Sequence, residues 1–346
     1  MEFSHGSIQK KVTAISELRR DLVSGDWVVI AIGRGKRPQE FLQKKRELFR
    51  QPKTICPFEK LGDNALLTLP PPGKKRDWWV KVIINKYPAF TIDFKHQCAV
   101  VYKEGIYEWT AGVGFHEVVV TRDHARAISD MTEEEVELLV RAYQERYLAL
   151  KDDPCVQYVS IFHNHGHRAG ATIAHPHSQI IATPVIPPDV HRSLRGVLDY
   201  YEAHRACAHC LMLNFERKEG VRVIHENSHF IALAPYASRS AFEMRIFPKA
   251  HSAQFELMSA ADRAAFANAL RISLAKLSQG LQNPDFNFFL HTAPLKDTDR
   301  YQRYHWHFEI VPKTAIWAGF EIGTGIEIST IAPESAAEFL RSIKVL

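Results

Sequence analysis

His175-Pro176-His177-Ser178-Gln179 and His305-Trp306-His307-Phe308-Glu309 are the two stretches that decide how this 346-residue chain is read. In an extended strand, residues two apart share a face. His175, His177 and Gln179 therefore line up on one side, and so do His305, His307 and Glu309. Each stretch closes the same series of elements. Phe115-His116-Glu117 opens a strand leading to Asp123-His124, as Phe242-Glu243 opens one leading to Lys249-Ala250-His251. Helical spacing over 130–150 follows, with Asp130 as N-cap and Val136, Leu139, Val140, Tyr143 and Leu148 as the apolar stripe; 259–279 is its counterpart. Strands at 156–162 and 287–290 come next. The gap from His124 to His175 is 51 residues and that from His251 to His305 is 54. Element order, spacing and paired histidines together indicate an internal duplication of an α/β module.

Upstream of each copy stands a pair of metal-ligand type, Cys56-Pro57-Phe58-Glu59 and Cys207-Ala208-His209-Cys210. A C-x-x-C turn places two thiolates about one zinc ion, and two distant histidines complete a tetrahedron. The second set is Cys207, Cys210, His251 and His305. The first is Cys56, Glu59, His124 and His175, with a carboxylate in place of one thiolate. Such long gaps exclude a small nucleic-acid-binding finger. Without a metal the same residues read as buried cysteines and core histidines.

With His175 fixed, His177 is held about 7 Å further along the same strand. A histidine that attacks phosphorus must be neutral at the attacking nitrogen, its other nitrogen donating to a fixed acceptor. The loop before it, Asn164-His165-Gly166-His167-Arg168-Ala169-Gly170-Ala171-Thr172, offers backbone N–H groups for a phosphate, and Asn164, Arg168 and Thr172 add donors. In the second copy His291-Thr292-Ala293-Pro294 stands there instead. His307 is accordingly read as structural or accessory, leaving one chemical centre, in the first half. Arg34, Lys36 and Arg37 form a basic trio suited to a diphosphate.

Working outward, 46% hydrophobic and 24% charged residues exclude a disordered, collagen-like or coiled-coil chain. The length suggests about two globular units, taken as residues 1–195 and 196–346. No apolar run of about 18 residues suggests a membrane span, and Met1 to Lys11 lacks a signal-peptide layout. A net charge of +5, from 44 basic and 39 acidic residues, is too dispersed to indicate nucleic-acid binding. Five cysteines suit a reducing compartment better than a disulfide framework. A cytoplasmic location is expected.

The chain resembles the galactose-1-phosphate uridylyltransferase family of the histidine-triad superfamily. The resemblance rests on Trp27 with Arg34-Gly35-Lys36-Arg37-Pro38, on Asn85-Lys86-Tyr87, on Asp123-His124 and on residues 164–179. Pro248-Lys249-Ala250-His251, His305-Trp306-His307 and Gly319-Phe320-Glu321 extend it through the second half. It implies an α+β fold of two tandem histidine-triad-like modules, each an antiparallel sheet with packed helices. It also implies ping-pong nucleotidyl transfer. His177 would attack the α-phosphorus of a UDP-sugar, release a sugar 1-phosphate and carry the uridylyl group to a second sugar 1-phosphate. Gln179 replaces the third histidine of the triad hydrolases with an amide that bonds phosphoryl oxygens without titrating.

The resemblance further implies substrate roles for Arg34, Arg37, Asn85, Tyr87, Asn164, Thr172, Phe320 and Glu321, and a homodimer in which Arg34 and Arg37 serve the partner's nucleotide. Thr172 stands where the family usually has serine. Three departures carry information: Glu59 replaces a cysteine, Phe320 a sugar-binding tyrosine, and Ala315 a lysine. Residues 319–325 also resemble a relative that phosphorolyses ADP-glucose. The expected activity is uridylyl transfer to galactose 1-phosphate. The alternatives are ADP-glucose phosphorolysis and a non-catalytic, zinc-stabilised nucleotide-binding protein.

Overall fold

The computed structural model describes residues 15–32, 49–92, 98 and 100–345. Its first half contains β1 (Glu17–Arg20), β2 (Trp27–Ile30), β3 (Leu67–Leu69), β4 (Val80–Ile84), β5 (Val101–Glu104), β6 (Tyr107–Thr110), β7 (Phe115–Thr121), α1 (Glu133–Leu150), β8 (Tyr158–His165) and β9 (His177–Thr183). Helices α2 (Pro188–His204) and α3 (Ala208–Glu219) lead into the second half. There β10 (Val223–Glu226), β11 (Phe230–Leu233), β12 (Met244–Pro248), α4 (Ala260–Leu281), β13 (Phe286–His291), a single turn α5 (Thr298–Tyr301), β14 (His307–Pro312), α6 (Gly319–Thr324), β15 (Ile328–Ser329) and α7 (Pro333–Ser342) follow.

The duplication is visible in the main sheet, whose order is β10-β11-β12-β14-β13-β8-β9-β7-β4-β3. Read from its middle, the order β8-β9-β7-β4-β3 mirrors β13-β14-β12-β11-β10. The fold is α+β with antiparallel main-sheet pairing, as expected. The two sheets expected from the sequence are the halves of one: β8 and β13 pair antiparallel, Phe286 opposite His165 and Phe289 opposite Phe162. Helices α1 and α4 cover one face and pack on each other. One apolar core, from Val136, Leu139, Val140, Tyr143 and Tyr147 to Phe266, Leu270, Phe288 and Phe308, runs under both halves. Position 195 falls within α2.

Two sequence expectations for α1 change. Thr132, not Asp130, is the N-cap; its hydroxyl accepts from the Glu135 N–H while the Glu135 carboxylate accepts from the Thr132 N–H. That reciprocal bonding belongs to the Thr-x-x-Glu pattern. Tyr147, four residues after Tyr143, continues the stripe, and Leu148 points to solvent at 38% exposure. The counterpart helix α4 carries the same device, with Ser259 and Asp262.

A smaller sheet, β1-β2-β15, lies apart from the main one, and β5 with β6 forms a hairpin. Cys98 is joined by a disulfide to Cys155, 57 residues away, a bridge the cysteine count did not lead us to expect. Among the described residues no helix is long and apolar enough to cross a membrane.

Candidate active site

The central strand β9 sorts its side chains by parity. Ser178, Ile180 and Ala182 face the helices; His177, Gln179 and Ile181 face the other way. On the inner face Ser178 Oγ lies 2.6 Å from Tyr143 Oη and 3.0 Å from His163 Nδ1, so the strand is pinned from below. On the outer face His177 donates Nδ1–H to the His175 carbonyl at 2.8 Å. That bond makes Nε2 the lone-pair nitrogen, the tautomer a nucleophile needs. Burial also holds the ring's pKa below the usual histidine value, against the raising effect of the His175 carbonyl. The ring is therefore neutral at neutral pH. Phe58 flanks it, ring centres 5.1 Å apart.

Beside it lies the first proposed ligand set. The ligand atoms of Cys56, His124 and His175 all fall within 4.8 Å of one another. His175 Nδ1 is 3.6 Å from Cys56 Sγ, while its Nε2–H donates to the Thr121 carbonyl at 2.7 Å. His124 likewise donates Nε2–H to the Gln51 carbonyl at 2.7 Å and turns Nδ1 inward. Glu59 Oε1 completes the group at 2.9 Å from His124 Nδ1 and 3.6 Å from His175 Nδ1.

The second set repeats the device. Cys210 Sγ lies 3.4 Å from His251 Nδ1 and 3.7 Å from His305 Nδ1. The outer nitrogens donate to the carbonyls of Gln302 and Pro248, both at 2.8 Å. Cys207 joins them with all four ligand atoms within 4.8 Å. Cys207 and Cys210 titrate as one pair: their mutual hydrogen bond holds the Cys207 thiol below its usual range, aided by His209, His251 and His305, and the Cys210 thiol above it. Tetrahedral zinc with ordinary Zn–S and Zn–N bonds separates sulfur from nitrogen by about 3.5 Å. Backbone carbonyls fixing every imidazole in the Nδ1-acceptor tautomer are the usual outer support for such ligands. Both sets fit a metal ion.

The other expected residues separate into two groups. Asn164 ends β8 and accepts from Asn287 Nδ2 at 2.8 Å. Gly166 and Gly170 turn the following loop with φ of 81° and 91°, which favour glycine. Arg168 N–H donates to Asp285 there, and Thr172 is exposed. A cavity of about 510 Å³ opens among Asn164, Gly166, Ala171, His175 and Asp285. Asn85 follows β4 and reaches His116, with exposed Tyr87 beside it. Phe320 and Glu321 sit instead on α6; Phe320 is 49% exposed and Glu321 accepts from the Ala318 N–H that begins its helix. Helix α6 leads to β15, which pairs with β2. Arg34, Lys36 and Arg37 lie outside the described residues.

Sequence reading missed three site residues: Phe58, His163 and His116. Phe58 was in view inside the Cys56–Glu59 turn. His116 Nε2 lies 2.7 Å from Gln179 Oε1, and only the alternation of β7 against β9 would have pointed to it. A larger cavity, about 1070 Å³, lies elsewhere among Arg20, Tyr200, Phe215 and Tyr236. It holds none of this chemistry.

The proteins that this chain resembles over nearly its whole length are nucleotidyltransferases. The description "Galactose-1-phosphate uridyl transferase, N-terminal domain" matches residues 8–187, and a domain of unknown function, DUF4921, matches 104–343. The chain belongs to the galactose-1-phosphate uridylyltransferase family. It is 34% identical to ADP-glucose phosphorylase of Arabidopsis thaliana over 95% of this chain and 93% of that one. It is 31% identical to galactose-1-phosphate uridylyltransferase of Thermotoga maritima, over 95% and 99%. The solved structure of the Arabidopsis thaliana ADP-glucose phosphorylase with bound ADP-glucose superposes with a TM-score of 0.80 at 31% identity, covering 96% of this chain and all of that one. A uridylyltransferase structure gives 0.72 at 27% identity, covering 95% and 98%.

Proposed function

We propose that the chain moves a nucleotidyl group from a sugar nucleotide to a phosphate-bearing acceptor through a covalent intermediate on His177. The observation that carries this reading is the Nδ1–H bond of His177 to the His175 carbonyl, which leaves Nε2 to attack. In the first step Nε2 bonds to the α-phosphorus and the bond from that phosphorus to the bridging oxygen breaks, releasing hexose 1-phosphate. The ring's growing positive charge is eased by the carbonyl that already accepts its Nδ1–H. In the second step a phosphate oxygen of the acceptor attacks the same phosphorus and expels Nε2. Gln179 and the loop of Asn164, Gly166, Arg168 and Thr172 supply donors for the non-bridging oxygens.

The substrate pair of this reading is UDP-glucose with galactose 1-phosphate. The 34% identity to ADP-glucose phosphorylase favours a second reading, ADP-glucose with orthophosphate. The intermediate is the same in both. Asn85 and Tyr87 are assigned to the nucleotide and Phe320 with Glu321 to the sugar; Arg34 and Arg37 are assigned to the diphosphate. Exposed Ile316, Trp317, Phe320 and Ile322 on and before α6 support a homodimer, in which Arg34 and Arg37 serve the partner's nucleotide. Residues 1–195 form the catalytic module and 196–346 its companion, in a cytoplasmic protein.

Zinc is the metal assigned to both ligand sets, where it would brace the segments that lead into β9 and β14. Its chemistry here is structural, because all four positions of each site are filled by protein. Incubation with α-labelled UDP-glucose or ADP-glucose, followed by peptide mapping, tests the proposal. Acid-labile label is expected on His177 with one of the two donors. Wild-type labelling of His177→Ala overturns it.

A further inference from the structure

Gln179 has an amide whose ends do opposite work: Oε1 accepts and Nε2 donates. To steady a phosphoryl oxygen beside His177, the donor end must face the reacting phosphorus, so something must hold the acceptor end away from it. His116 lies where this can be done. Strand β7 runs antiparallel to β9 with Val118 opposite Gln179 and His116 opposite Ile181. His116 is thus the diagonal neighbour of Gln179 on the same face.

The ring's tautomer follows from its partners. Ala89 N–H donates to His116 Nδ1 at 3.1 Å. A backbone N–H cannot accept, so Nδ1 is the lone-pair nitrogen and the ring proton sits on Nε2. Nε2 lies 2.7 Å from Gln179 Oε1 and donates to it. Asn85 Nδ2 is also 3.0 Å from Nε2, but the Asn85 acceptor is engaged by the Tyr87 N–H at 2.9 Å. The Asn85 amide nitrogen is itself a donor and cannot accept the ring proton, which is left to Gln179. The chain from Ala89 through His116 to Gln179 has one consistent polarity.

We propose that His116 is a positioning residue that fixes the flip of the Gln179 amide, so that Nε2 of Gln179 is presented to the phosphoryl group carried by His177. The inference rests on the nucleotidyl-histidine reading. It adds that the segment starting at Asn85 and the phosphoryl site are mechanically joined through one imidazole.

Two replacements separate the ends of the ring. His116→Asn keeps an acceptor near the Nδ1 position for Ala89 and removes the donor to Gln179. His116→Gln keeps a donor near the Nε2 position. Single-turnover labelling of His177 with the accepted sugar nucleotide is measured for both, in wild-type and Gln179→Ala backgrounds, with thermal melts to confirm folding. His116→Asn is expected to slow labelling on the order of 10- to 100-fold with little change in donor KM, as for a misplaced oxyanion donor. His116→Gln is expected to recover part of that loss, and His116→Asn to add nothing once Gln179 is alanine. Labelling of His116→Asn within about twofold of wild type overturns the proposal, as do equal losses in both variants that persist without Gln179. Absence of label on the wild-type chain strikes the nucleotidyl-histidine reading itself, a result distinct from these.

Discussion

His177 and His307 make the same hydrogen bond, Nδ1–H to the carbonyl two residues back, at 2.8 and 3.1 Å, in surroundings that forbid them the same chemistry. His307 is 3% exposed, stacked on His291 with ring planes 2° apart and on Phe247 at 4.7 Å. Glu309, at the position of Gln179, places Oε1 3.5 Å from His307 Nε2. Arg245 at 3.0 Å and Arg239 hold that carboxylate in turn. An anion already fills the place where a phosphate would have to go. The cavity left beside His307 and Glu309 measures only about 30 Å³.

The second half should therefore be chemically silent. His307→Gln is expected to lower the melting temperature and leave the label on His177 at wild-type stoichiometry. Glu309→Ala takes Arg239's nearest carboxylate and one of three from Arg245, which keeps Asp21 at 3.0 Å and Glu243 at 3.4 Å, and should cost about 1–3 kcal/mol in urea melts. Loss of label in a folded His307→Gln protein would show that both halves take part.

Elemental analysis should find two zinc ions per chain, and they should differ in hold. Glu59 gives the first site an oxygen ligand where the second has a thiolate, and zinc favours the softer donor. Titration with a chelator is expected to empty the Cys56 site first. Cys207→Ser with Cys210→Ser should retain one equivalent and melt far lower, since a structural zinc contributes on the order of 10 kcal/mol. Simultaneous loss of both ions would contradict the ranking.

How far the sequence reached depends on the range of each signal. Period-two alternation and the paired histidines placed β7, β9 and β14, because one strand's face is set within the strand itself. The ligand sets were legible because each combines a short turn with one element of the repeat. The join of β8 to β13 was not, since nothing local marks which edge a strand presents. His116 was hidden for the same reason: its role depends on register between two strands. Leu148 was misplaced by one position because a helical stripe drifts with a period of 3.6 residues, not a whole number.

Gly166 tests the loop before β9. Its φ is 81°, and an added Cβ would lie 2.3 Å from Asp285 Oδ1. Asp285 also accepts from the Arg168 N–H at 2.7 Å. Gly166→Ala is expected to cost about 1–3 kcal/mol from the backbone alone, since φ 81° with ψ 162° is a conformation open essentially only to glycine, and to displace Asp285, releasing Arg168. Labelling of His177 should slow while binding at Asn85 and Tyr87 persists, so kcat should fall more than KM rises. Unchanged kcat with a weaker fold would remove the loop from catalysis.

Acid should weaken this fold through a buried histidine whose contribution can be isolated. Burial holds the His163 pKa well below 6.5, its neighbours His165 and His177 adding to the effect. Between that lowered value and 6.5, the unfolded chain takes up a proton that the folded chain refuses. The ring's contribution is thus complete above 6.5 and shrinks as pH falls, by about 1.4 kcal/mol per unit until the folded ring also titrates. Glu256, raised by burial, acts in the opposite direction above its ordinary range, so the raw profile mixes signs. The difference between wild type and His163→Phe cancels such shared terms. Urea midpoints at pH 7.5, 6.5, 5.5 and 5.0 should show the two proteins converging toward acid, the wild type losing its lead only below about 6.5. Parallel profiles across that range would mean that His163 is protonated as readily inside the protein as outside it, and that Ser178 and Tyr143 grip a charged ring.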